Sequence, residues 1–135
     1  VNKTKRLIKA PKLYWVDTGL AMHIASESEP RGAHFENFVL GDLLAWRGSL
    51  HDSPEIMYWR ASTGEEVDFV IEWKGKLLPL EVKTTEKPRV DDARHLRVFR
   101  DEYGKQALPG VLIHTGDTTR WIADDILAVP WWKIL

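Results

Sequence analysis

The sequence has no cysteine among its 135 residues, which excludes a disulfide framework, a thiolate metal site and a cysteine nucleophile. No apolar run approaches membrane-spanning length, and no secretory hydrophobic segment is present. Internal repeats, low-complexity tracts, a P-loop and the common serine- and zinc-hydrolase motifs are also missing. We therefore expect a cytoplasmic protein that has no membrane partner.

A strong net charge is absent as well. The chain has 19 Lys and Arg against 20 Asp and Glu, a formal net charge of −1. A strong nucleic-acid binder usually carries a basic footprint, so any contact with DNA must come from local patches. What the sequence has in quantity is apolar: 44% of residues are hydrophobic and seven are tryptophan, which predicts one packed domain. The chain starts at Val1 rather than Met, which suggests a fragment or a processed protein.

The most informative stretch is a pair of alternating apolar runs that W-K-G-K joins at residues 73–76. Period-two alternation on both sides of a glycine-containing turn predicts a β-hairpin. One face is expected to hold Val67, Phe69 and Ile71 from the first run, and Leu78, Leu80 and Val82 share a face of the second.

The turn also predicts the register of this hairpin. If Lys74 and Gly75 form a two-residue loop, opposed positions sum to 149, which places Asp68 directly across from Glu81. Lys83 lies two residues beyond Glu81 and shares its face. Directly opposed carboxylates repel, so we expect a cation between them or a raised pKa on one of them. A three-residue loop with a bulge would shift the register by one.

Two carboxylates and a lysine on one strand face suit phosphate chemistry. Carboxylate oxygens favour Mg²⁺ or Mn²⁺, and such a metal activates water and stabilises charge on phosphoryl oxygens. The lysine can orient or activate that water, or stabilise the developing charge. The alternative is a solvated hairpin face on which Lys83 only neutralises Glu81. The apolar neighbours V-D-F-V-I and L-P-L-E-V-K argue against it, because they are typical of central strands.

Asp68, twelve intervening residues and then Glu81-Val82-Lys83 resemble the D-x(n)-E-x-K signature of the PD-(D/E)XK nuclease-like superfamily. The resemblance implies an α/β (α+β) fold with a restriction-endonuclease-like core: a mixed sheet flanked by helices in the order α-β-β-β-α-β. It also implies Mg²⁺ or Mn²⁺ bound by Asp68, Glu81 and the backbone carbonyl of Val82. Lys83 would then position the attacking water.

The segment K-L-Y-W-V-D-T-G-L, from Lys12, resembles a recurring segment in a family of bacterial and archaeal proteins. In that family an AAA-type ATPase with a P-loop precedes an uncharacterised C-terminal domain of nuclease-like fold. The ending A-V-P-W-W-K-I-L resembles the same family. The resemblance implies a linker or arm at residues 1–12, a nuclease-like domain at 13–135, and no nucleotide bound by this fragment. It implies two partners, the absent upstream ATPase portion and nucleic acid, with DNA expected.

Periodicity and turn residues predict the remaining elements. Apolar residues at helical spacing indicate core helices, and short apolar runs between turn residues indicate strands. The compact run at 110–114 is typical of a buried parallel strand. The predicted helices are 20–25, 33–47 and 90–103, and the predicted strands are 55–61, the two hairpin strands, 110–114, 120–123 and 126–129.

Several side chains are expected to pack rather than to bind. Arg60 is predicted to pair with Glu65 or Glu66. Trp131 and Trp132 are predicted to anchor the chain end, because Pro130 and the chain end suit a docked tail. The expected core stripes are Phe35, Val39, Leu43 and Trp46 on the first core helix, and Val90, Ala93, Leu96, Phe99 and Tyr103 on the second.

Further site candidates lie on the two core helices. Members of the superfamily often carry a metal-reaching glutamate on the first helix, where this chain has Glu36; the alternative is a solvent-facing residue that the helix dipole favours. Arg94, Arg97 and Arg100 repeat every three residues, and such a flank could hold a DNA backbone or could be a solvated helix face. His95 stands where some relatives have glutamine or tyrosine, so a fifth active-site residue is not assigned.

Two functions follow from these observations. The first is a metal-dependent phosphodiesterase acting on nucleic acid, through Asp68, Glu81, Lys83 and Glu36. The second is a non-catalytic module that binds DNA or docks onto its own ATPase portion, which the near-neutral charge favours. An open site with Lys83 directed at the carboxylates would favour the enzyme. A site covered by the C-terminal tail would favour the module.

Overall fold

The computed structural model describes residues 12–134, so the predicted linker lies outside the described residues except for Lys12. Within that range the chain is a mixed α/β protein with three α-helices and one six-stranded sheet. None of its helices has the length and apolar character needed to cross a bilayer. The helices are α1 (Thr18–Ile24), α2 (Gly32–Ser49) and α3 (Arg94–Tyr103), and the strands are β1 (Glu55–Arg60), β2 (Glu66–Trp73), β3 (Lys76–Lys83), β4 (Gly110–His114), β5 (Arg120–Ala123) and β6 (Ile126–Pro130).

The sheet is mixed, with the strand order β1-β2-β3-β4-β6-β5. Strands β1, β2 and β3 are antiparallel, β3, β4 and β6 are parallel, and β5 pairs antiparallel with β6 at the edge. The predicted order of helix, three strands, helix and strand is confirmed from α2 to β4. The predicted buried parallel strand is also confirmed, because β4 has a parallel neighbour on each side.

The hairpin of β2 and β3 has the predicted register. Lys74 and Gly75 both adopt left-handed backbone angles, with φ of 53° and 77°. A two-residue loop of this kind matches the right-handed twist of the strands it joins. Paired positions from the turn to the Phe69–Leu80 pair all sum to 149. The hairpin therefore brings the end of β2 that carries Asp68 next to the end of β3 that carries Glu81.

Helices α2 and α3 cover opposite faces of the sheet and create two apolar layers. Burying a large aliphatic or aromatic side chain contributes roughly 1.5–3 kcal/mol, so these layers supply much of the folding free energy. Most residues of the two predicted core-helix stripes pack in these layers. The α2 layer includes Val39, Leu43, Phe69, Ile71, Leu80, Val82 and Ile113, and the α3 layer includes Trp59, Val67, Val70, Leu77, Ala93, Leu96, Phe99, Leu112 and Ile126.

Two of the core predictions are wrong. Val67 packs in the α3 layer, whereas Phe69 and Ile71 pack in the α2 layer, because a β-bulge interrupts the alternation of β2. Val90 is 38% exposed, because the chain enters α3 through a 3₁₀ turn rather than as one continuous helix. The buried stripe of this region therefore begins at Ala93.

The end of the chain docks on α2 through one tryptophan. The Trp131 ring lies edge-on to Phe38 with centroids 5.2 Å apart, and Ile134 packs against the same apolar layer. The packing prediction for Trp131 is confirmed. That for Trp132 is wrong, since this side chain is 51% exposed.

His114, the last residue of β4, is fully buried and forms two hydrogen bonds through its ring. Its Nδ1 accepts from the Gly116 backbone N–H, and its Nε2 lies 3.0 Å from the Thr118 carbonyl oxygen. A carbonyl only accepts, so Nε2 carries the proton and the ring is neutral. Burial lowers the pKa of His114 below 6.5, although the bond to Thr118 acts in the opposite direction.

We expect His114 to make the protein less stable as the pH falls. The unfolded histidine takes up a proton near pH 6.5, whereas the folded ring resists it. The contribution of the neutral His114 ring to the free energy of unfolding is therefore present above the unfolded pKa. It is lost as the pH falls through the lower folded pKa. The loss has an upper limit of about 1.4 kcal/mol per pH unit.

Urea unfolding between about pH 7.5 and pH 5 measures this effect. The His114→Gln variant should lack this part of the pH dependence, and the same substitution at the exposed His51 should retain it. Identical slopes for the wild type and His114→Gln would contradict the prediction.

Candidate acidic site

A β-bulge positions Asp68 in β2. Between the pairings of Met57 and Trp59, β1 advances by two residues while β2 advances by three. Asp68 and Phe69 therefore oppose a single residue of β1. Bulges redirect side chains and are enriched beside active sites. This one lies at the end of the hairpin that carries the predicted carboxylates.

The carboxylate of Asp68 completes the hydrogen bonding of the hairpin. The ladder between β2 and β3 ends at the Phe69–Leu80 pair, and Asp68 and Glu81 are the next positions. Beyond that pair, Oδ2 of Asp68 accepts the backbone N–H of Val82 at 2.9 Å. A buried amide needs a partner, so this bond fixes the carboxylate against β3.

Glu81 is a buried carboxylate with one unpartnered oxygen. The residue is 3% exposed, and its Oε1 accepts from Nζ of Lys83 at 2.7 Å. The two side chains share a face, as the alternation predicts. Oε2 of Glu81 has no hydrogen-bond partner within residues 12–134. Such an oxygen is unfavourable in a protein interior, and a proton or a cation would satisfy it.

The pKa values of this group reflect burial and mutual repulsion. Burial raises the pKa of Glu81 to about 7, and the charge of Asp68 adds to the rise. Burial also raises the pKa of Asp68, with a further contribution from Glu36. Burial alone would lower the pKa of Lys83, but the hydrogen bond to Glu81 and the charges of Glu81 and Asp68 together raise it. Lys83 is therefore a cation at neutral pH.

Lys12 places its ammonium group among three carboxylates. Its Nζ lies 3.0 Å from Oε1 of Glu36 and 3.5 Å from Oδ1 of Asp68, and it also contacts Glu66. Burial alone would lower the pKa of Lys12, but the hydrogen bonds to Glu66 and Glu36 raise it above its ordinary value. Arg60 pairs with the second oxygen of Glu66 at 2.6 Å, which confirms that predicted contact. We call Lys12, Glu36, Glu66 and Asp68 the Lys12 cluster.

The segment that precedes α1 is held on α2 by two side chains. Oδ1 of Asn37 accepts the Trp15 backbone N–H at 2.7 Å, and its Nδ2 donates to the Trp15 carbonyl and to the Thr18 hydroxyl. The Tyr14 hydroxyl donates to Glu36 at 2.6 Å. Burial and this hydrogen bond raise the pKa of Tyr14. These contacts fix the position from which the preceding lysine reaches the carboxylates.

The predicted basic flank of α3 is engaged elsewhere in the fold. Arg97 and Arg100 both pair with Asp125, which lies between β5 and β6. Arg100 also donates to the Leu108 carbonyl at 3.1 Å. A role in holding a nucleic-acid backbone stays a prediction for these arginines and for Arg94.

His95 supports the backbone of the Lys12 cluster. Its Nδ1 lies 3.0 Å from the Glu66 carbonyl, and its Nε2 accepts from Nε of Arg94 at 3.1 Å. Since the carbonyl only accepts, Nδ1 is the protonated nitrogen. The Nδ1 contact therefore links α3 to β2, whereas the Nε2 contact lies within α3.

The tertiary structure adds Lys12, Tyr14 and Glu66 to the site predicted from sequence. Glu66 could have been found by alternation, because it lies two residues before Asp68 in the same strand. Lys12 and Tyr14 belong to the segment K-L-Y-W-V-D-T-G-L, but no local pattern indicates that they contact the carboxylates. In the described range, no group of three or more His, Asp or Glu side chains is close enough to hold a metal ion. The Lys12 ammonium lies between the carboxylates instead.

A cavity of about 440 Å³ opens beside the cluster between α1, α2 and the preceding segment. Lys12, Tyr14 and Glu36 contribute polar groups to its wall, and apolar residues such as Leu13 and Ile24 line the rest. The C-terminal tail packs on Phe38 and the α2 layer. The cavity is therefore adjacent to Glu36 and Lys12 of the cluster.

Residues 31–134 match the family model of a domain of unknown function, DUF4143. Domains of this kind are often found in proteins associated with AAA-type ATPases. No curated protein and no solved structure gives a significant match. The matched range includes Glu36, Asp68, Glu81 and Lys83, and it begins after Lys12.

Proposed function

The chain belongs to the DUF4143 family, and from its acidic site we propose that it is a metal-dependent phosphodiesterase acting on nucleic acid. The observation that carries the proposal is the buried carboxylate of Glu81 beside the partly buried carboxylate of Asp68, with the Lys83 ammonium 2.7 Å from Glu81. This combination is unfavourable for folding, because burial and repulsion raise the pKa of both acids. Perturbed groups of this kind cluster at functional sites.

We assign the fold to the PD-(D/E)XK nuclease-like type. The support is the order α2-β1-β2-β3-α3-β4, together with a mixed sheet that has one core helix on each face. The residues of the D-x(n)-E-x-K signature lie on the hairpin strands, Asp68 on β2 and Glu81 and Lys83 on β3. Glu36 lies on α2, the helix on which members of the superfamily often carry a glutamate. Fold alone does not establish activity, because activity depends on the residues of the site.

The donor set fits a hard divalent cation. Asp68, Glu81 and the carbonyl of Val82 are oxygen donors of the type that Mg²⁺ and Mn²⁺ prefer. The buried and unpartnered Oε2 of Glu81 is a position that a cation would satisfy. When bound, the metal would activate water and stabilise charge on the phosphoryl oxygens.

The side chains of the site have separate roles in this proposal. Hydrolysis adds water across a P–O bond, so negative charge increases on the oxygens at phosphorus as the bond breaks. Lys83 is held in its charged form by Glu81, which suits stabilisation of that charge rather than proton abstraction. The Val82 N–H orients Asp68. Glu36 contacts the same Lys12 ammonium as Asp68 and would assist.

A second function is favoured by a separate observation. Leu13, Val16, Leu20 and Ile24 are 91%, 107%, 52% and 61% exposed, and they lie together in sequence around α1. Apolar side chains exposed in such a group mark an interaction surface. In this alternative the domain docks onto an upstream ATPase portion and does not cut nucleic acid. For either function we propose a cytoplasmic location and that ATPase portion as the partner.

The test compares Mn²⁺ binding and cleavage by the wild type and by Asp68→Ala. Calorimetry measures binding, and plasmid and single-stranded substrates measure cleavage. We expect Asp68→Ala to lose both, because the variant removes a partly buried oxygen donor. The control is Asp101→Ala, which removes an exposed carboxylate of α3 and should behave as the wild type.

Binding without cleavage by the wild type would point to a missing substrate or partner. If neither the wild type nor the Lys12→Met variant, which lacks the competing ammonium group, binds Mn²⁺, the phosphodiesterase proposal is wrong. The docking function then remains as the proposal.

A further inference from the structure

The position of Lys12 in the acidic site needs an explanation. An ammonium group has three N–H donors, and here three carboxylates surround it, those of Glu36, Glu66 and Asp68. Its side chain is only 23% exposed. The lysine therefore supplies positive charge beside Asp68, one of the carboxylates at which the proposed function requires a metal ion.

We propose that Lys12 is an intramolecular latch that competes with a divalent metal for the acidic site. Binding of the metal expels the ammonium group, and return of the ammonium group lowers the affinity for the metal. The inference rests on the proposed metal centre and adds its regulation.

Electrostatics make the two cations mutually exclusive. A divalent ion held by Asp68 would contact the carboxylate whose Oδ1 lies 3.5 Å from the Lys12 ammonium. The two positive charges would then be only a few ångströms apart in a half-buried site, where Coulomb repulsion is weakly screened.

The latch couples the site to the segment that precedes α1. Lys12 belongs to that segment, which the Asn37 amide and the Tyr14 hydroxyl hold on α2. Because coupling between two equilibria is reciprocal, any interaction that draws Lys12 away raises the metal affinity by the same factor by which the metal favours release. Metal binding therefore favours release of Lys12 from the site, and release of Lys12 favours metal binding.

The experiment measures Mn²⁺ affinity by calorimetry for the wild type, Lys12→Met and Lys133→Met. Both variants lose one positive charge, but the Lys133 ammonium contacts Thr119 and the Trp132 ring rather than a carboxylate. We expect Lys12→Met to bind roughly tenfold more tightly or better, because the competing charge is gone. Lys133→Met should bind as the wild type does.

The outcomes separate the latch from the metal centre. Equal or weaker binding by Lys12→Met, with measurable binding by the wild type, overturns the latch and leaves the metal centre. No binding by either protein overturns both. Tighter binding by Lys133→Met to the same degree shows an effect of net charge and overturns the latch.

A second measurement uses the wild type, so it does not depend on a variant that folds. Lysine acetylation with a small reagent, followed by mass spectrometry, reports the accessibility of each amine. We expect Lys12 to react slowly without metal and several-fold faster with saturating Mn²⁺, while Lys133 does not change. A Lys12 rate that Mn²⁺ leaves unchanged overturns the latch.

Discussion

The substitution Glu81→Gln is expected to stabilise the metal-free protein at about pH 8 by about 1–3 kcal/mol. Glutamine has nearly the same shape as glutamate but carries no charge, so it removes both the burial penalty and the repulsion from Asp68. The ionic bond to Lys83 is lost, but that ammonium is 39% exposed and the loss is small. Replacing this predicted site residue should therefore increase the free energy of unfolding.

The gain should depend on pH with a definite sign. The folded pKa of Glu81, about 7, lies above its unfolded value of 4.5. A group with a raised folded pKa gives its full stability below the unfolded pKa, and that stability is lost as the pH rises through the folded pKa. The advantage of glutamine should therefore disappear toward pH 4.5 and reach its maximum above pH 7.

Urea unfolding in the presence of a chelator, at about pH 5 and about pH 8, measures this difference. The control is Glu55→Gln, which makes the same chemical change at an exposed position of β1 and should have little effect. Equal stability of the wild type and Glu81→Gln at the higher pH would show that the charged Glu81 carboxylate does not destabilise the folded protein. The proposal of a functional site would then lose its main support.

The substitution Gly116→Ala is expected to destabilise the protein by at least about 1–3 kcal/mol. A Cβ at this position would lie 2.2 Å from the carbonyl oxygen of Glu86 and 3.0 Å from Nδ1 of His114. The first contact is with backbone, which cannot rotate away as a side chain can. The loop after β4 is also tied to the loop after β3 by the bond from Thr115 N–H to the Thr85 carbonyl at 3.1 Å.

A matched variant in a helix provides the control for Gly116→Ala. Gly41 lies within α2, and a Cβ added there meets no heavy atom within 4 Å. Gly41→Ala should stabilise the protein by about 0.5–1 kcal/mol, since alanine is the better helix former. Denaturant unfolding of both variants measures the contrast. A Gly116→Ala protein as stable as the wild type would mean that the two loops move apart at little cost.

Much of the hairpin could be predicted from the sequence because its interactions are local. Alternating apolar residues and the Lys74–Gly75 turn are sufficient to predict both strands and their register. That register then places Asp68 beside Glu81. The raised pKa of Glu81 follows from burial and repulsion, which the apolar neighbours already indicate.

The bulge in β2 could not be predicted in the same way. It carries no glycine, and its effect on Val67 depends on how β1 pairs with β2. The exposure of Val90 could not be predicted either. The apolar spacing of Val90 and Ala93 fits a continuous helix as well as the 3₁₀ turn that precedes α3.

The sequence by itself determined the α/β class, the hairpin, and the placement of Asp68, Glu81 and Lys83 on adjoining strands, since alternation and turn residues act over a few positions. Only the tertiary structure decided what meets these carboxylates. Lys12 reaches Asp68 because the segment before α1 packs on α2 while α2 packs on β3. Contacts of that kind depend on how separate elements dock, and no local pattern in the chain encodes them.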